Sequence, residues 1–260
     1  MVAGVKHNTM KRKMLAGQPA VGAELALGCP VIGEMFSLAG FDFVQVDCQH
    51  GMWDDSTAFE AFHHICLGPA TPSVRVPDND YAGIGRLLDR GAMSIIVPMV
   101  NSPEEAQRAA RAVRYPPRGS RSGGGPVGYL TYGDDYATSA DDEVLLMVQI
   151  ETQPAAEAAA EILSVDGVDG CMIGPGDLSR SMGLDLSQPG DRERHAQTIR
   201  QIRDHCIRVG KLPGIATGGR GAEQYLKEGY LFVLAMGDYG LIAEGGREAL
   251  QWINEVRSAR

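Results

Sequence analysis

The sequence lacks several features, and each absence excludes a class of protein. No stretch approaches the ~18 consecutive apolar residues that cross a membrane. Residues 1–15 are basic but lack the apolar core of a signal peptide. The formal net charge of −9 argues against a nucleic-acid partner, because phosphates favour clustered Lys and Arg. We therefore expect a chain that binds neither membranes nor nucleic acids.

The five cysteines are odd in number, widely scattered and without CxxC spacing. This pattern predicts neither a disulfide framework nor a zinc site, and it indicates reduced thiols in a cytoplasmic protein. Cys48 lies beside a charged strand end, where a nucleophile is one interpretation. We favour a side chain that points away from that end, because neighbouring residues on a strand face opposite ways.

What the sequence does have is a regular alternation of short apolar runs and longer amphipathic stretches. Eight such alternations predict one α/β domain over residues 1–260, a parallel eight-stranded (β/α)8 TIM barrel. A doubly wound sheet is the alternative, but it usually has fewer strands. Helix starts are predicted at Ser102, before Pro103, and at Thr152. The predicted strands are Val21–Leu27, Phe41–Cys48, Pro72–Val76, Ser94–Val100, Val144–Glu151, Gly170–Ile173, Pro213–Thr217 and Phe232–Met236.

One connection, residues 115–143, is unusually long and contains Arg118, Arg121 and three consecutive glycines. Loops of this length inside a compact domain are usually functional or disordered. The segment lacks the strand-to-helix spacing of a phosphate loop, which disfavours a nucleotide site. It follows the fourth helix, so it begins at the barrel end away from the predicted chemistry. We predict a loop that contacts another subunit or covers a neighbour's site.

Ionisable residues follow four of the predicted strands. Asp47 and His50 end one strand, Arg75 ends the next, and Glu151 and Asp177 follow two adjacent later strands. In α/β folds, catalytic groups lie at the carboxyl ends of the strands. We therefore expect these side chains to gather at one end of the barrel.

Glu151 and Asp177 suggest a metal site. Two carboxylates on adjacent strands repel each other unless a cation or a shared proton lies between them. Without neighbouring Cys or His, their oxygens favour a hard ion, Mg²⁺ or Mn²⁺. Salt bridges at the barrel rim are the alternative that the residues leave open. The turn Gly174-Pro175-Gly176 supports a ligand, because a helix begins there and helix N-termini attract anions.

Arg75 and His50 suggest the remaining chemistry. A planar, permanently charged guanidinium suits a carboxylate or a developing oxyanion. His50 is a candidate general base that Asp47 would orient. The other histidines considered lie in helical stretches without such neighbours and are predicted to be surface or packing residues: His63, His64, His195 and His205.

Seven motifs occur in order along the chain: FDFVQVDCQHG, VRVP, GAMSIIVPMVNSPEEA, RYPPRGSR, QIET, VDGCMIGPGDLSRSMG and GKLPGIATG. Together they resemble the metal-dependent (class II) pyruvate aldolases of the HpcH/HpaI family, from about Val21 to Asp238, and GPGDL and RYPP are quite specific. The resemblance implies a barrel, a divalent ion (Mg²⁺, Mn²⁺ or Co²⁺) and no organic cofactor. It also implies reversible cleavage of 4-hydroxy-2-oxo acids to pyruvate and an aldehyde. The predicted strand ends carry no lysine, which disfavours a Schiff-base aldolase.

Position by position, the resemblance assigns roles to the strand-end residues. Glu151 and Asp177 match metal ligands. His50 matches the catalytic base, and Asp47 matches its acidic companion. Arg75 matches the residue that contacts the keto oxygen of pyruvate. The other matches are Gly176 and Asp177, whose N–H groups bind the pyruvate carboxylate, Gln149 of the QIET motif as a substrate-binding residue, and Asp89, an acid that reaches a neighbouring subunit's site.

Two positions depart from the pattern of many family members. Gln49 stands where many carry Glu, which removes a charge beside His50, although a second branch also carries Gln. Glu24 lies in a first-strand segment that lacks the tryptophan of some members. A carboxylate near the mouth is expected to alter aldehyde preference, against anionic aldehydes. The reaction type is therefore better defined than the substrate.

Two other functions compete with the aldolase. A citrate lyase β-type enzyme would act on acyl-CoA thioesters, but the chain is short and has no evident basic nucleotide-binding patch. A binding protein would keep the barrel and lose turnover, but the set of Arg75, Glu151, Asp177 and His50 is intact. Both alternatives remain weaker than a lyase.

The final segment, Leu241–Val256, bears on assembly. Its apolar side chains at helical spacing form a stripe able to cap its own barrel or a neighbour's. Gly245-Gly246 interrupts it, so we predict that the regular helix starts after this pair, which would serve as a hinge. The resemblance implies a homohexamer, a trimer of dimers that exchange this helix. The residues of the stripe are Ile242, Ala249, Trp252, Ile253 and Val256, with Leu241 and Leu250 at its margins.

Overall fold

The computed structural model describes residues 7–258, so residues 1–6 of the basic start lie outside the described range. It confirms the predicted closed barrel of eight parallel strands. The strands are β1 (Ala20–Leu25), β2 (Phe43–Asp47), β3 (Thr71–Arg75), β4 (Ser94–Val97), β5 (Leu145–Ile150), β6 (Gly170–Ile173), β7 (Leu212–Ala216) and β8 (Phe232–Gly237). They follow one another around the barrel in chain order, and β8 closes on β1. A doubly wound sheet is thereby excluded.

Helices connect the strands on the outside of the barrel. The helices of the described chain are α1 (Thr9–Leu15), α2 (Pro30–Ala39), α3 (Asp55–Ile65), α4 (Tyr81–Asp89), α5 (Pro103–Val113), α6 (Pro126–Tyr132), α7 (Tyr136–Glu143), α8 (Gln153–Glu157), α9 (Ala159–Leu163), α10 (Pro175–Ser181), α11 (Pro189–Arg208), α12 (Ala222–Lys227) and α13 (Asp238–Ser258). Within residues 7–258, no helix has both the length and the apolar character to cross a membrane.

The predicted helix starts at Ser102 and Thr152 are confirmed. The Ser102 hydroxyl accepts a hydrogen bond from the Glu105 N–H at 3.3 Å, and Pro103 opens α5. The Thr152 hydroxyl accepts one from the Ala155 N–H at 3.1 Å. Each cap satisfies a backbone donor that the first turn of a helix leaves free. Local sequence therefore determines where the helices that follow β4 and β5 begin.

Aromatic and sulfur side chains fill the inside of the barrel near its N-terminal end, which we call the floor. The rings of Phe43 and Phe232 stack there, with centroids 4.2 Å apart. A Cβ atom on Gly22 would lie 2.2 Å from the Phe43 ring, so only glycine fits at that position. Met10 and Met14 of α1 are buried in the same cluster. α1 thus covers the floor, and we call the opposite end of the barrel the mouth.

The connection between residues 115 and 143 differs from its prediction as a loop. It contains α6 and α7, and it packs beside α4. Its Arg121 is buried, lies over the Tyr115 ring at 4.6 Å and donates hydrogen bonds to Asp89 and Tyr136, both at 3.0 Å. Tyrosines that pack inside the segment supply the core that a glycine-rich loop would lack.

The final helix also differs from its prediction. α13 begins at Asp238 and continues through Gly245-Gly246 to Ser258, so these glycines form no break. Each glycine costs the helix about 1 kcal/mol in propensity relative to alanine, and the helical turns on either side offset this cost. The side chains of Ile242 and Trp252 are 58% and 66% exposed. The apolar stripe therefore does not cap the barrel of its own chain.

Candidate active site

The residues predicted at the strand ends lie at the mouth of the barrel. Asp47 and Arg75 are the last residues of β2 and β3, and Glu151 directly follows β5. Asp177 lies in α10, which starts two residues after β6. His50 lies in the turn after β2. Because the barrel strands are all parallel, their carboxyl ends share this one end.

Asp47 and Arg75 form a bidentate ion pair. The Nε and Nη2 atoms of Arg75 donate to the two Asp47 oxygens at 2.8 and 2.7 Å. Burial opposes the charge of Arg75, but the hydrogen bonds and charge of Asp47 outweigh it, so the pKa of Arg75 is raised. Asp47 also accepts from the backbone N–H groups of Gln49 and His50. It therefore fixes the turn that carries His50, whereas the prediction had it orient the imidazole ring.

Glu24 of β1 joins this ion pair. Its Oε2 atom lies 3.7 Å from the Arg75 Nη2 atom and accepts a hydrogen bond from the Gln45 amide at 3.3 Å. Burial, and then the charge of Asp47, raise the pKa of Glu24 to about 7. A second carboxylate thus shares one guanidinium. The Oε1 atom of Gln45 is buried without a partner in the described chain.

Glu151 is buried and held by two donors. Its Oε1 atom accepts from the Met99 backbone N–H at 2.9 Å, and its Oε2 atom accepts from the Gln149 amide. Burial raises the pKa of Glu151, and the negative charge of Asp177 adds to this rise. A Cβ atom on Gly174 would lie 2.8 Å from the Glu151 Oε2 atom, so glycine leaves room for the carboxylate. The site holds a carboxylate whose charge the surrounding protein disfavours.

Asp177 is half exposed and forms an ion pair with Arg180 of the same helix at 2.7 Å. The start of its helix is anchored from α11, where the buried His195 ring bonds to the Pro175 carbonyl oxygen through Nε2 at 2.9 Å. As the donor, His195 presents Nε2–H to that oxygen. His195 thus packs against the turn that carries Asp177.

Two supporting contacts were not predicted from the sequence, although the prediction that His195 is a surface or packing residue is confirmed. Met99 follows β4 and supplies only a backbone N–H, and it is the one non-glycine residue of the described chain with positive φ, at 55°. His195 lies in a helix far from the strand ends. A search for ionisable side chains at strand ends finds neither. The apolar residues around a lone histidine in a helix do not indicate which group its ring will bond.

Asp89 does not lie at the mouth of its own barrel. It ends α4, which runs back from the mouth towards the start of β4, and its carboxylate accepts from Arg121. Cys48, by contrast, packs against the apolar layer between barrel and helices, as predicted. Burial, and then the charge of Asp47, raise its pKa to about 12, which leaves no reactive thiolate.

Comparisons with known proteins identify the family. The model of the family HpcH/HpaI aldolase/citrate lyase matches residues 25–243. The chain belongs to this family. The 4-hydroxy-2-oxo-heptane-1,7-dioate aldolase of Klebsiella pneumoniae subsp. pneumoniae is 38% identical over 251 residues, 94% of this chain and 92% of that protein.

Two solved structures of the HpcH/HpaI family share the whole fold. A HpcH/HpaI aldolase/citrate lyase family protein from Burkholderia cenocepacia J2315 has a TM-score of 0.87 at 28% identity, covering 95% of this chain and 99% of that one. The HpcH/HpaI aldolase from Desulfitobacterium hafniense DCB-2 has a TM-score of 0.86 at 28% identity, covering 94% and 96%. The chain is therefore an enzyme of this aldolase family, a carbon–carbon lyase of retro-aldol type.

Proposed function

We propose that the chain is a divalent-metal-dependent aldolase that reversibly cleaves 4-hydroxy-2-oxo acids into pyruvate and an aldehyde. The observation that carries this proposal is the arrangement of Glu151, Asp177 and Arg75 at one end of the barrel. It offers oxygen ligands for a hard cation beside a fixed positive charge for a developing oxyanion. The name of the relative from Klebsiella pneumoniae supports this substrate class.

Glu151 and Asp177 are the residues that would hold the ion. Burial and mutual repulsion raise the pKa of Glu151, and a cation between the two carboxylates offsets that repulsion. Within residues 7–258, no group of three or more His, Cys, Asp and Glu side chains is placed to hold a metal. Two protein ligands leave the remaining positions to water and substrate. When bound, Mg²⁺, Mn²⁺ or Co²⁺ supplies Lewis-acid polarisation of the 2-oxo group.

Arg75 is proposed to contact the 2-oxo oxygen of the substrate. Asp47 occupies the Nε and Nη2 donors of its guanidinium, and the Nη1 atom has no partner among the described residues. The two N–H groups of Nη1 therefore stay available for an oxygen that gains negative charge. The bidentate pair with the buried Asp47 holds the plane of the guanidinium, so little reorganisation is needed during the reaction.

His50 is proposed to remove the proton from the C4 hydroxyl group, directly or through a water. Its ring has no hydrogen-bond partner within the described chain, while Asp47 holds its backbone N–H at 3.4 Å. Loss of the proton lets the C3–C4 bond break, and the bonding electrons pass to C3 and the 2-oxo oxygen. Carbon C4 leaves as the aldehyde, and protonation of C3 gives pyruvate.

The carboxylate of the substrate is proposed to bind at the start of α10. The first-turn N–H groups of Gly176 and Asp177 have no carbonyl partner within the helix. Gln149 is proposed to contact the same half of the substrate, because its Oε1 atom is buried without a partner in the described part of the chain. Its amide nitrogen meanwhile holds Glu151.

We propose a homohexamer, a trimer of dimers that exchange α13. Six large apolar side chains of this helix are exposed: Tyr239, Leu241, Ile242, Leu250, Trp252 and Val256. A soluble monomer rarely exposes so long an apolar stripe. Asp89 lies away from its own mouth, which accords with action at a neighbour's site. Intact protein should sediment far above the mass of one chain, and deletion from Leu241 onward should give dissociated or insoluble protein. A fully active monomer would contradict the shared site.

We also propose that the enzyme acts in the cytoplasm on small molecules and binds neither nucleic acid nor membrane. The described residues include all five cysteines and contain no disulfide, in keeping with a reducing compartment. The net charge of −9 disfavours phosphate-rich partners. Cell fractionation with an antibody against the chain tests the location.

The decisive assay is pyruvate release from a panel of 4-hydroxy-2-oxo acids. Chelation should abolish cleavage, and Mg²⁺, Mn²⁺ or Co²⁺ should restore it. Full activity after exhaustive chelation, or a lysine adduct trapped by borohydride with pyruvate, would overturn the metal mechanism. Cleavage of acyl-CoA thioesters instead would favour the citrate lyase-type rival, and no turnover at all would favour a binding protein.

The role of His50 has its own test. His50→Ala should impair cleavage far more than the exchange of pyruvate methyl protons, because only cleavage needs the C4 hydroxyl proton removed. His64→Ala is the matched control, since its ring bonds Glu34 on the outside of the barrel. Equal losses in both assays would mean that His50 also serves enolisation.

A further inference from the structure

We propose that Glu24 determines aldehyde specificity, so that the enzyme favours uncharged, hydroxylated aldehydes over aldehydes that carry a carboxylate. The inference rests on the proposed aldolase function and deepens it. No described residue other than Glu24 brings a carboxylate into the mouth from β1.

Glu24 lies beside Arg75 and across the barrel from the strand that leads to Glu151, one of the proposed metal ligands. It pairs in register with Gln45 of β2 on one side and Gly237 of β8 on the other. In a closed barrel in chain order, β1 is opposite β5, the strand that leads to Glu151. With the pyruvate half at β5 and β6 and Arg75 in contact with its oxygen, the aldehyde half extends towards β1.

One oxygen of Glu24 is occupied and the other is free. The Oε2 atom faces the Gln45 amide at 3.3 Å and the Arg75 guanidinium at 3.7 Å. The Oε1 atom receives no hydrogen bond from any residue between 7 and 258. The side chain is 26% exposed, so it is accessible from the mouth. A ligand hydroxyl can therefore donate to Oε1 without displacing a protein contact.

Gly237 lies next to this oxygen. A Cβ atom on Gly237 would lie 3.9 Å from the Glu24 Oε1 atom. Gly237 also borders an open cavity of about 890 Å³ between the ends of β7 and β8 and the first turns of α13. Thr217, Gly218 and Met236 line the same cavity. The cavity therefore adjoins the β8 residue that pairs with Glu24, on the side towards which the aldehyde half of the substrate would extend.

The charge around Glu24 is negative. Asp47 already takes two donors of Arg75, so Glu24 adds a second negative charge to one positive charge. Asp238 lies next to Gly237 and accepts from the backbone N–H groups of Ala26 and Leu27, and it forms no ion pair within the described residues. A carboxylate on the aldehyde would meet this field at short range and would be repelled.

This balance predicts a difference from the relative of Klebsiella pneumoniae. Retro-aldol cleavage between C3 and C4 of the substrate in its name, 4-hydroxy-2-oxo-heptane-1,7-dioate, leaves an aldehyde that keeps the second carboxylate. In the present chain, that carboxylate would approach Glu24. We therefore assign the two proteins different aldehyde preferences despite 38% identity.

The experiment measures kcat/KM for aldol addition of pyruvate to two pairs of aldehydes of matched length. Butanal and 4-oxobutanoate differ in one carboxylate, and propanal and glyceraldehyde differ in hydroxyl groups. At pH 8, where Glu24 is mostly ionised because its pKa is about 7, wild-type enzyme should favour butanal and glyceraldehyde. Glu24→Gln should raise the ratio of 4-oxobutanoate to butanal by about ten-fold or more, the effect of one charge at close range. Glu24→Asp keeps the charge and should keep the preference.

Glu60→Gln is the matched control, since it removes the same charge from an exposed position on α3, outside the barrel. An unchanged ratio in Glu24→Gln, or an equal change in Glu60→Gln, would overturn the inference, as would a wild type indifferent to the hydroxyl groups. Exchange of pyruvate methyl protons needs no aldehyde and should persist in Glu24→Gln. Its loss there would show that Glu24 serves Arg75 rather than the aldehyde. Absence of exchange in the wild type would instead refute the proposed function itself.

Discussion

The floor and the mouth of the barrel differ in how well their buried carboxylates are matched by cations and hydrogen-bond donors. At the floor, Glu143 accepts hydrogen bonds from the Asn8 N–H at 2.7 Å and from Arg12. Burial opposes its charge, but these donors outweigh burial, so the pKa of Glu143 is lowered. Asp169 is paired similarly, with Arg114 at 2.7 Å and Lys11 at 3.3 Å. Negative charge at the floor is matched and stabilises the fold.

At the mouth, carboxylates outnumber the cations that face them. Glu24 and Asp47 share Arg75, and Glu151 lies near Asp177 without an ion pair of its own in the described chain. The pKa values of Glu24 and Glu151 are both raised, with burial as the main cause. Unmatched charge costs stability, and enzymes retain such a cost where a ligand will offset it. The comparison predicts opposite consequences for substitutions at the two ends.

Glu151→Gln should have the largest effect. Loss of the carboxylate should abolish metal binding by calorimetry and lower kcat by about three powers of ten or more, since a Lewis acid supplies several kcal/mol. The thermal stability of the metal-free protein should rise, because a disfavoured charge is removed. Glu157→Gln, on the exposed side of α8, is the control. A variant that binds metal normally would contradict the proposed ligand set.

Arg75→Lys should raise the activation barrier by about 2–4 kcal/mol, the usual cost of losing an oxyanion donor. The ammonium group keeps the charge but cannot bind Asp47 with two donors and still present a third to the substrate. Steady-state kinetics in the cleavage direction measures the loss. Arg86→Lys keeps the exposed pair with Asp55 and serves as the control, whose activity should be unchanged. A loss of activity below ten-fold would mean that Arg75 does not stabilise the transition state.

Arg114→Met should act on stability alone. It breaks a buried pair with Asp169, so the free energy of unfolding should fall by about 3 kcal/mol, measured by urea denaturation. The kcat of the folded enzyme should remain unchanged, since Arg114 lies at the floor. Arg118→Met breaks an exposed pair with Asp142 and should cost little. Reduced kcat in folded Arg114→Met would refute the separation of the two ends.

Glu24→Gln should stabilise the protein in a pH-dependent way. The pKa of Glu24 is raised from an ordinary 4.5 to about 7, so the folded state disfavours the ionised form. Wild-type stability is therefore lost as the pH rises from 4.5 through 7. The free energy of unfolding of the variant should exceed that of the wild type by on the order of 2 kcal/mol at pH 8 and by clearly less at pH 5. Melting curves at both pH values measure this, and an equal gain at each would exclude ionisation as the cause.

Much of this molecule is predictable from short-range pattern. All eight strands, and the helix starts at Ser102 and Thr152, lie where apolar periodicity and capping residues predict them. The rule that parallel strands share their carboxyl ends then places Asp47, Arg75 and Glu151 at one mouth. These inferences succeed because each depends on neighbours in the chain and on one general property of barrels.

Other features depended on residues distant in the chain. The helices inside residues 115–143 and the unbroken α13 contradict expectations based on local glycine content. Glycine weakens a helix by only about 1 kcal/mol, which packing or flanking turns override. The roles of the supporting residues were equally hidden, because Met99 acts through its backbone and His195 through a carbonyl on another element.

The sequence by itself determined the barrel, the family and the set of ionisable groups at the mouth. Only the tertiary structure decided how those groups share charge: that Glu24 and Asp47 meet a single Arg75, and that Asp89 lies at the other end of the barrel. The position of a residue at the end of a strand predicts at which end of the barrel its side chain lies. Its pKa and its partner depend on distances of a few ångströms between separate strands, and those distances exist only once the barrel has closed.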